Sequence, residues 1–242
     1  MSNPVRNLAR SARQFLLLTA RRMMHARVVN HAGVKIAIGD YLSPVVAEHI
    51  LNGDYERSEL KGIRALLDPE DIVLELGAGI GFISLQCARV VGCDRVFAFE
   101  ANPALEAHIR RNYDLNGLHP KLEMCILGEH EGQADFFIDD DLWESSMIRR
   151  KASVKQVTVP VRSLNEMVRR IRPTFLIMDI EGGEYEIIKQ IDLDTIRKVA
   201  IEVHIPIIGG EKVEYVKRRL IDAGFVVDHR FTNDQQFVAV RP

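Results

Sequence analysis

Ile72-Val73-Leu74-Glu75-Leu76 runs straight into Gly77-Ala78-Gly79-Ile80-Gly81, and Phe82 to Val91 follows with the composition and period of a helix. No other stretch of the 242 residues constrains the fold as much as this succession of buried strand, glycine turn and helix. Glycines suit such a turn because it demands backbone angles that a Cβ penalises, and because a ligand approaching the main chain leaves no space for one. The helix amino terminus beyond it offers unpaired N–H groups. A glycine loop alone is a weak signal. It gains force from Glu100, 19 residues beyond Gly81 at the end of the next apolar run, where a carboxylate can accept both hydroxyl hydrogens of a ribose.

Short apolar runs alternate with helical stretches from Ile72 onward. Ile72 to Leu76, Arg95 to Phe99, Leu122 to Leu127, Phe175 to Met178 and Val199 to His204 read as buried strands. Strands without polar alternation, covered by helices on both faces, indicate an α/β fold with a doubly wound parallel sheet. The tail departs from this rhythm. Phe225 to Phe231 and Gln236 to Val240 are separated only by Thr232-Asn233-Asp234-Gln235, which is turn chemistry with no room for a crossover helix. A mainly parallel sheet of seven strands ending in an antiparallel hairpin is therefore expected. Asp68-Pro69-Glu70-Asp71 opens this domain, giving residues 68–242 as the main domain and 1–67 as a helical extension with a short hairpin or strand at Val34 to Tyr41. Pro44 to Glu59 reads as a helix within that extension, leading to Lys61 to Leu67.

Charge separates the two parts further. The first 39 residues carry Arg6, Arg10, Arg13, Arg21, Arg22, Arg27 and Lys35 and no acidic residue. Val5, Leu8, Ala12 and Phe15 fall at helical spacing, so a basic amphipathic helix is expected, packed on its own domain or on a twin subunit, touching an anionic membrane surface, or serving as an address. Across the whole chain 32 Lys and Arg balance 34 Asp and Glu, which argues against a polyanion binder and so against a nucleic-acid partner. Cys87, Cys93 and Cys125 form no C-x-x-C pair and have no neighbouring histidine at metal spacing, so neither a disulfide framework nor a zinc site is expected. A reducing, cytoplasmic location follows as the simplest expectation. The longest early apolar stretch, Phe15 to Leu18, is far too short to span a bilayer. The run Asp139-Asp140-Asp141 reads as a solvated loop.

Dinucleotide sites favour G-x-G-x-x-G, whose third small residue would fall at position 82, where a bulky Phe82 stands. The G-x-G-x-G loop, Glu75 two residues before it and the closing hairpin resemble the class I S-adenosylmethionine-dependent methyltransferases. Three further segments narrow the resemblance to the FkbM family. Val96-Phe97-Ala98-Phe99-Glu100-Ala101-Asn102-Pro103 is similar to that family's A-F-E-P-N-P block, and Val159-Pro160-Val161-Arg162-Ser163-Leu164 to its strand before a helix. Ile177-Met178-Asp179-Ile180-Glu181-Gly182-Gly183-Glu184 is similar to its K-I-D-V-E-G-x-E block, with Ile177 in place of the lysine; Ala101 likewise replaces a proline. The resemblance implies a Rossmann-like fold, S-adenosyl-L-methionine as cofactor, and O-methylation of a hydroxyl on a natural product, small molecule or sugar. The cofactor contacts would come from Glu75, Gly77, Ala78, Gly79, Gly81, Glu100, Ala101 and Asn102. Two other readings stay open: a nucleoside-binding domain without catalysis, and a nicotinamide-dependent oxidoreductase.

A hydroxyl acceptor must lose a proton as it is methylated. The candidate catalytic groups are Asp179 and Glu181, which leave the fourth parallel strand at its carboxyl end, and His204, which ends the next run in Ile201-Glu202-Val203-His204. Glu181 and Glu184 are alternatively suited to cap the helix beginning near Gly183, where the helix dipole favours negative charge. Asp179, Glu181 and Glu202 lie on separate strands and their spacing gives no evidence that they converge, so no metal is expected.

Overall fold

The structure is a computed structural model and describes residues 28–39, 41–138 and 155–242. The basic amino-terminal stretch before Val28 and the Asp139-Asp140-Asp141 run lie outside the described residues. The chain divides into two compact units, Met1–Tyr55 and Glu56–Pro242.

In the first unit β1 (Val28–His31) and β2 (Val34–Ala37) pair antiparallel across Ala32-Gly33, both residues having positive φ as a tight hairpin of right-handed strands requires. Helix α1 (Pro44–Asn52) follows, with the Ser43 hydroxyl accepting from the Val46 N–H at its start and Gly53 in the left-handed conformation at its end.

The second unit opens with α2 (Arg57–Leu66), so the helix expected over Pro44 to Glu59 is two helices. The break has a local cause. Gly53 and Glu56 both have positive φ, 75° and 51°, and neither continues a right-handed helix. Because α2 packs on a strand of the large sheet, the chain divides at Tyr55/Glu56, whereas Asp68-Pro69 marked the expected domain boundary.

The large sheet has seven strands in the order β11-β12-β10-β9-β3-β4-β5. These are β3 (Val73–Leu76), β4 (Val96–Glu100), β5 (Lys121–Met124), β9 (Phe175–Met178), β10 (Lys198–Glu202), β11 (Val226–Val227) and β12 (Gln236–Val240). The five from β5 to β10 run parallel, and β12 is antiparallel to both its neighbours. Every residue of β3 and β9 is buried, which explains their unalternating composition. The helices joining the strands are α3 (Phe82–Val91), α4 (Glu106–Asn116), α5 (Leu164–Ile171), α6 (Glu184–Gln190), α7 (Ile205–Ile208) and α8 (Gly210–Asp222). Side chains such as Leu176, Ile188, Val199 and Val216 fill one continuous core, each contributing about 1.5 to 3 kcal/mol by leaving water.

Two expected strands changed on folding. The run Leu122 to Leu127 serves two sheets: β5 pairs with β4, whereas β6 (Ile126–Gly128) pairs with β8 (Lys155–Ser163) in a second sheet completed by β7 (Gly132–Ile138). The expected strand over Phe225 to Phe231 keeps only Val226–Val227. Asp228 ends it by accepting the Arg230 N–H and holding the Arg230 guanidinium, so the backbone turns at Phe231 instead of pairing further.

Candidate active site

The β3–α3 loop lies at the carboxyl edge of the parallel sheet, pinned from both sides. The Phe99 carbonyl at the end of β4 accepts the N–H groups of Gly77 (2.9 Å) and Ala78 (3.2 Å), and on the other flank the Asp179 N–H donates to the Leu76 carbonyl at 2.9 Å. Gly77 has φ 87°, and a Cβ there would stand 1.7 Å from the Asp179 carbonyl oxygen. A Cβ on Gly81, at φ 77°, would stand 2.7 Å from the Tyr113 ring and 2.9 Å from Ile109, both on α4. The positive φ values match the backbone angles expected of this turn, and approach of the chain to itself adds a second reason for glycine at 77 and 81 beside the expected approach of a ligand. Gly79 differs: its N–H points to Glu100 Oε2 at 2.9 Å.

Glu100 ends β4 and is buried. Its second oxygen takes the Asn102 N–H at 2.7 Å, so each carboxylate oxygen is held by a backbone donor. Burial raises its pKa, and the N–H groups of Asn102, Gly79 and Ala101 partly restore the charged form. Asn102 is itself buried; its Oδ1 caps the following turn through the Ala104 N–H, and its Nδ2 is buried with no hydrogen-bond partner among the described residues. Glu75 lies beneath the loop and accepts the Ser84 hydroxyl of α3. Burial lifts its pKa from the usual 4.5 to about 8, against the opposing effect of Ser84. Glu75, Gly77, Ala78, Gly79, Glu100 and Asn102 thus form one connected cradle, with Gly81 behind it against α4. Ala101 contributes its backbone N–H to Glu100.

Across Gly77 lies a second cluster. His204, the residue before α7, places Nε2 3.7 Å from Asp179 Oδ1, 3.4 Å from Glu181 Oε1 and 3.9 Å from Glu202 Oε1, with Nδ1 2.6 Å from Glu184 Oε1. The three expected catalytic groups, Asp179, Glu181 and His204, therefore meet. Burial alone would drive the ring toward its neutral form; contacts with Glu181 and Glu184 and the charge of Asp179 outweigh it and raise the pKa to about 11. Burial raises Asp179 well above the ordinary carboxylate range, helped by Glu202 and Glu56 and opposed by His204. Its Oδ1 is buried with no hydrogen-bond partner among the described residues. Glu181 has φ 52°, which a non-glycine residue adopts only at a cost of about 1–3 kcal/mol.

Two members of this cluster escaped sequence reasoning. Glu59 on α2 is buried, and burial together with its bond to Glu56 pushes its pKa well up; Asp179 and Glu202 add to the effect. The signal was present in the charge of α2, but only the folded contact of α2 with β10 places Glu56 and Glu59 in the same electrostatic neighbourhood as Asp179. Asp179, Glu181 and His204 each offer one ligand atom within 4.8 Å of the others. A cation held there would have to displace the proton that makes the ring an imidazolium.

A family model described as the methyltransferase FkbM domain matches residues 75–227. No curated protein matches the chain significantly. Among solved structures the chain is similar to a methyltransferase from Pyrococcus furiosus, at 14% identity and TM-score 0.49, covering 95% of this chain and 97% of that one. It is similar at 14% identity and TM-score 0.49 to precorrin-6y C5,15-methyltransferase from Geobacter metallireducens, covering 86% and 94% respectively. A tRNA (uracil-54, C5)-methyltransferase from Pyrococcus abyssi, solved with S-adenosyl-L-homocysteine, is 13% identical with TM-score 0.48, covering 88% of this chain and 44% of that one.

Proposed function

The chain belongs to the FkbM methyltransferase family, and on that premise we propose that it methylates a hydroxyl group of a small molecule, natural product or sugar. It is a methyltransferase, and its methyl donor is S-adenosylmethionine. The donor fits the cradle on the chain's own chemistry: Glu100 is a buried carboxylate with acceptor capacity beyond its three backbone donors, and the buried Asn102 amide has an N–H pair without a partner among the described residues. Bound there, S-adenosylmethionine supplies a methyl carbon activated by a sulfonium. Glu100 is assigned to the ribose hydroxyls, Gly79 and Asn102 to holding that carboxylate, and Glu75 to bracing the loop on α3 through Ser84. The unit from Glu56 onward is assigned as the catalytic domain.

One observation carries the hydroxyl assignment. The loop and the acidic cluster abut at Gly77, where Asp179 is bonded to Leu76 and leaves no space for a side chain. A proton acceptor thus stands next to the donor cradle. An ordinary carboxylate is a weak base for an alcohol, and Asp179 is a stronger one because burial, Glu202 and Glu56 raise its affinity for a proton. Asp179 receives the acceptor proton in this scheme, and the His204 imidazolium, with Nε2 at 3.7 Å, stabilises the charged form of the carboxylate before the transfer. Glu181, at 3.4 Å from the same ring nitrogen, shares that charge. The effect asked of such proton transfer is typically 10²–10⁴-fold in rate, about 3 to 5 kcal/mol.

Among the described residues no helix is long and apolar enough to cross a membrane. The three free cysteines support a reducing location such as the cytoplasm. The test is turnover: incubation with methyl-labelled S-adenosylmethionine and a metabolite extract should yield a labelled methyl ether identifiable by mass spectrometry. Label on a carbon, nitrogen or nucleic acid, or none at all, would overturn the hydroxyl assignment. The rival of a nucleoside-binding domain without catalysis predicts donor binding with no label transferred.

A further inference from the structure

Glu184 begins α6 and is completely buried. Its Oε1 accepts two bonds, from the Gly182 N–H at 3.0 Å and from His204 Nδ1 at 2.6 Å, while Oε2 is buried with no hydrogen-bond partner among the described residues. Capping the turn before α6 accounts for the first bond and matches what sequence alone suggested for this residue. It does not account for the second. A carboxylate removed from water is costly unless a cation or several donors compensate it, and a separation of 2.6 Å is that of a charge-assisted bond.

The consequence lies in the geometry of the ring. An imidazole has two nitrogens, and a carboxylate on Nδ1 fixes both the orientation of the ring and the proton on that nitrogen. Only Nε2 remains to face other groups. It points to Asp179, Glu181 and Glu202, the carboxylates at the carboxyl ends of β9 and β10, with the charge of Glu56, the residue before α2, acting on Asp179 and Glu202, and with the buried Glu59 of α2, whose proton affinity burial raises, in the same neighbourhood. His204 precedes the short α7 with φ −101° and ψ 73°, and its carbonyl accepts the N–H groups of Ile207 and Ile208, so the backbone is anchored and the rotation of the ring is left to its side-chain contacts.

We propose that Glu184 is a positioning residue: it grips Nδ1 of His204 so that Nε2 faces Asp179 and the acceptor side of the crevice. The assignment rests on the role given to His204 above and adds the group that keeps the ring in register. It also explains why Glu184 sits wholly buried beside a ring that it holds in the charged form.

The test compares Glu184→Gln, which keeps an acceptor oxygen and loses the charge, with Glu184→Leu, which loses both, in the full chain. Proton and nitrogen NMR of the histidine rings, with His204 assigned from the His204→Gln spectrum, reads the Nδ1 bond without any acceptor present. Wild type should show a strongly downfield, slowly exchanging Nδ1 proton. It should move upfield in Glu184→Gln and vanish in Glu184→Leu. With methyl-labelled S-adenosylmethionine and a metabolite extract, kcat should fall roughly tenfold in the glutamine variant and further in the leucine variant, within the range of proton-transfer effects. The donor dissociation constant should stay within about twofold of wild type, because Glu184 lies outside the cradle. A ring proton unchanged in Glu184→Gln contradicts the grip, and this holds even where the leucine variant does not fold. A ring proton that shifts while kcat stays at the wild-type level leaves the bond purely structural and overturns the positioning role. Transfer that survives intact in His204→Gln brings down the role of His204, and the positioning role falls with it.

Discussion

The two halves of the crevice treat buried charge in opposite ways. On the cradle side, Glu100 is surrounded by backbone N–H groups, each oxygen is engaged, and the carboxylate rests on dipoles fixed by the β3–α3 and β4–α4 turns. On the acidic side, Asp179, Glu181, Glu184 and Glu202 are arranged around a single imidazole, and atoms of Asp179 and Glu184 remain without hydrogen-bond partners among the described residues. Glu56 and Glu181 both hold positive φ beside this cluster. On the function proposed above, the comparison separates binding from chemistry. The ligand-holding carboxylate is settled by fixed backbone donors, whereas the acidic side gathers carboxylates that raise one another's affinity for a proton around one cation.

Gly77 is where the halves meet, so it gives the harshest test. Gly77→Ala would drive a Cβ to 1.7 Å from a backbone carbonyl that cannot swing aside, at a φ of 87° that alanine resists. Destabilisation of at least about 4 kcal/mol is expected, enough to remove most folded protein. Thermal unfolding monitored by circular dichroism checks this; a variant that melts within a few degrees of wild type would mean that the halves do not press on each other there.

Glu75 sharpens the comparison because, unlike Glu100, it has no set of backbone donors to offset its burial. Its pKa is raised from 4.5 to about 8 in the folded protein, so between these values the native state holds a proton that the unfolded chain has released. The contribution of Glu75 to stability should be full below pH 4.5, fall as pH rises toward 8, and level off beyond it, by an amount on the order of a few kcal/mol. Glu75→Gln should remove that share of the decline. Urea titrations at intervals across this range decide it, and parallel curves for the two proteins would show that Glu75 does not titrate as its burial requires.

The same contrast marks what was legible in the sequence. The cradle is local: strand, turn and acidic strand end succeed one another along the chain, and the alternation of apolar runs with helices pointed to a mainly parallel sheet. The acidic side is assembled from distant pieces. Asp179, Glu181 and His204 were visible as strand-end groups, but their meeting depends on the register of β9 with β10, with Ile201 opposite Met178. Glu59 was hidden inside what read as a continuous helix from Pro44, because the left-handed Glu56 gives no compositional warning as Gly53 does. Glu184 read as a helix cap, since its bond to His204 bridges 20 residues and an intervening helix. β7 lies outside every run read as a strand, because most of its residues are partly or fully exposed and carry little apolar pattern.

The smallest of the expected effects is also the most direct. Isothermal titration of the full chain with S-adenosylmethionine should show micromolar binding, with no comparable heat from NAD. Glu100→Ala should weaken the binding by about 1 to 3 kcal/mol, roughly 5- to 150-fold, through the lost ribose bonds. Equal affinity in wild type and Glu100→Ala, or tight binding of NAD in place of the sulfonium donor, would contradict the assignment of this cradle to the methyl donor.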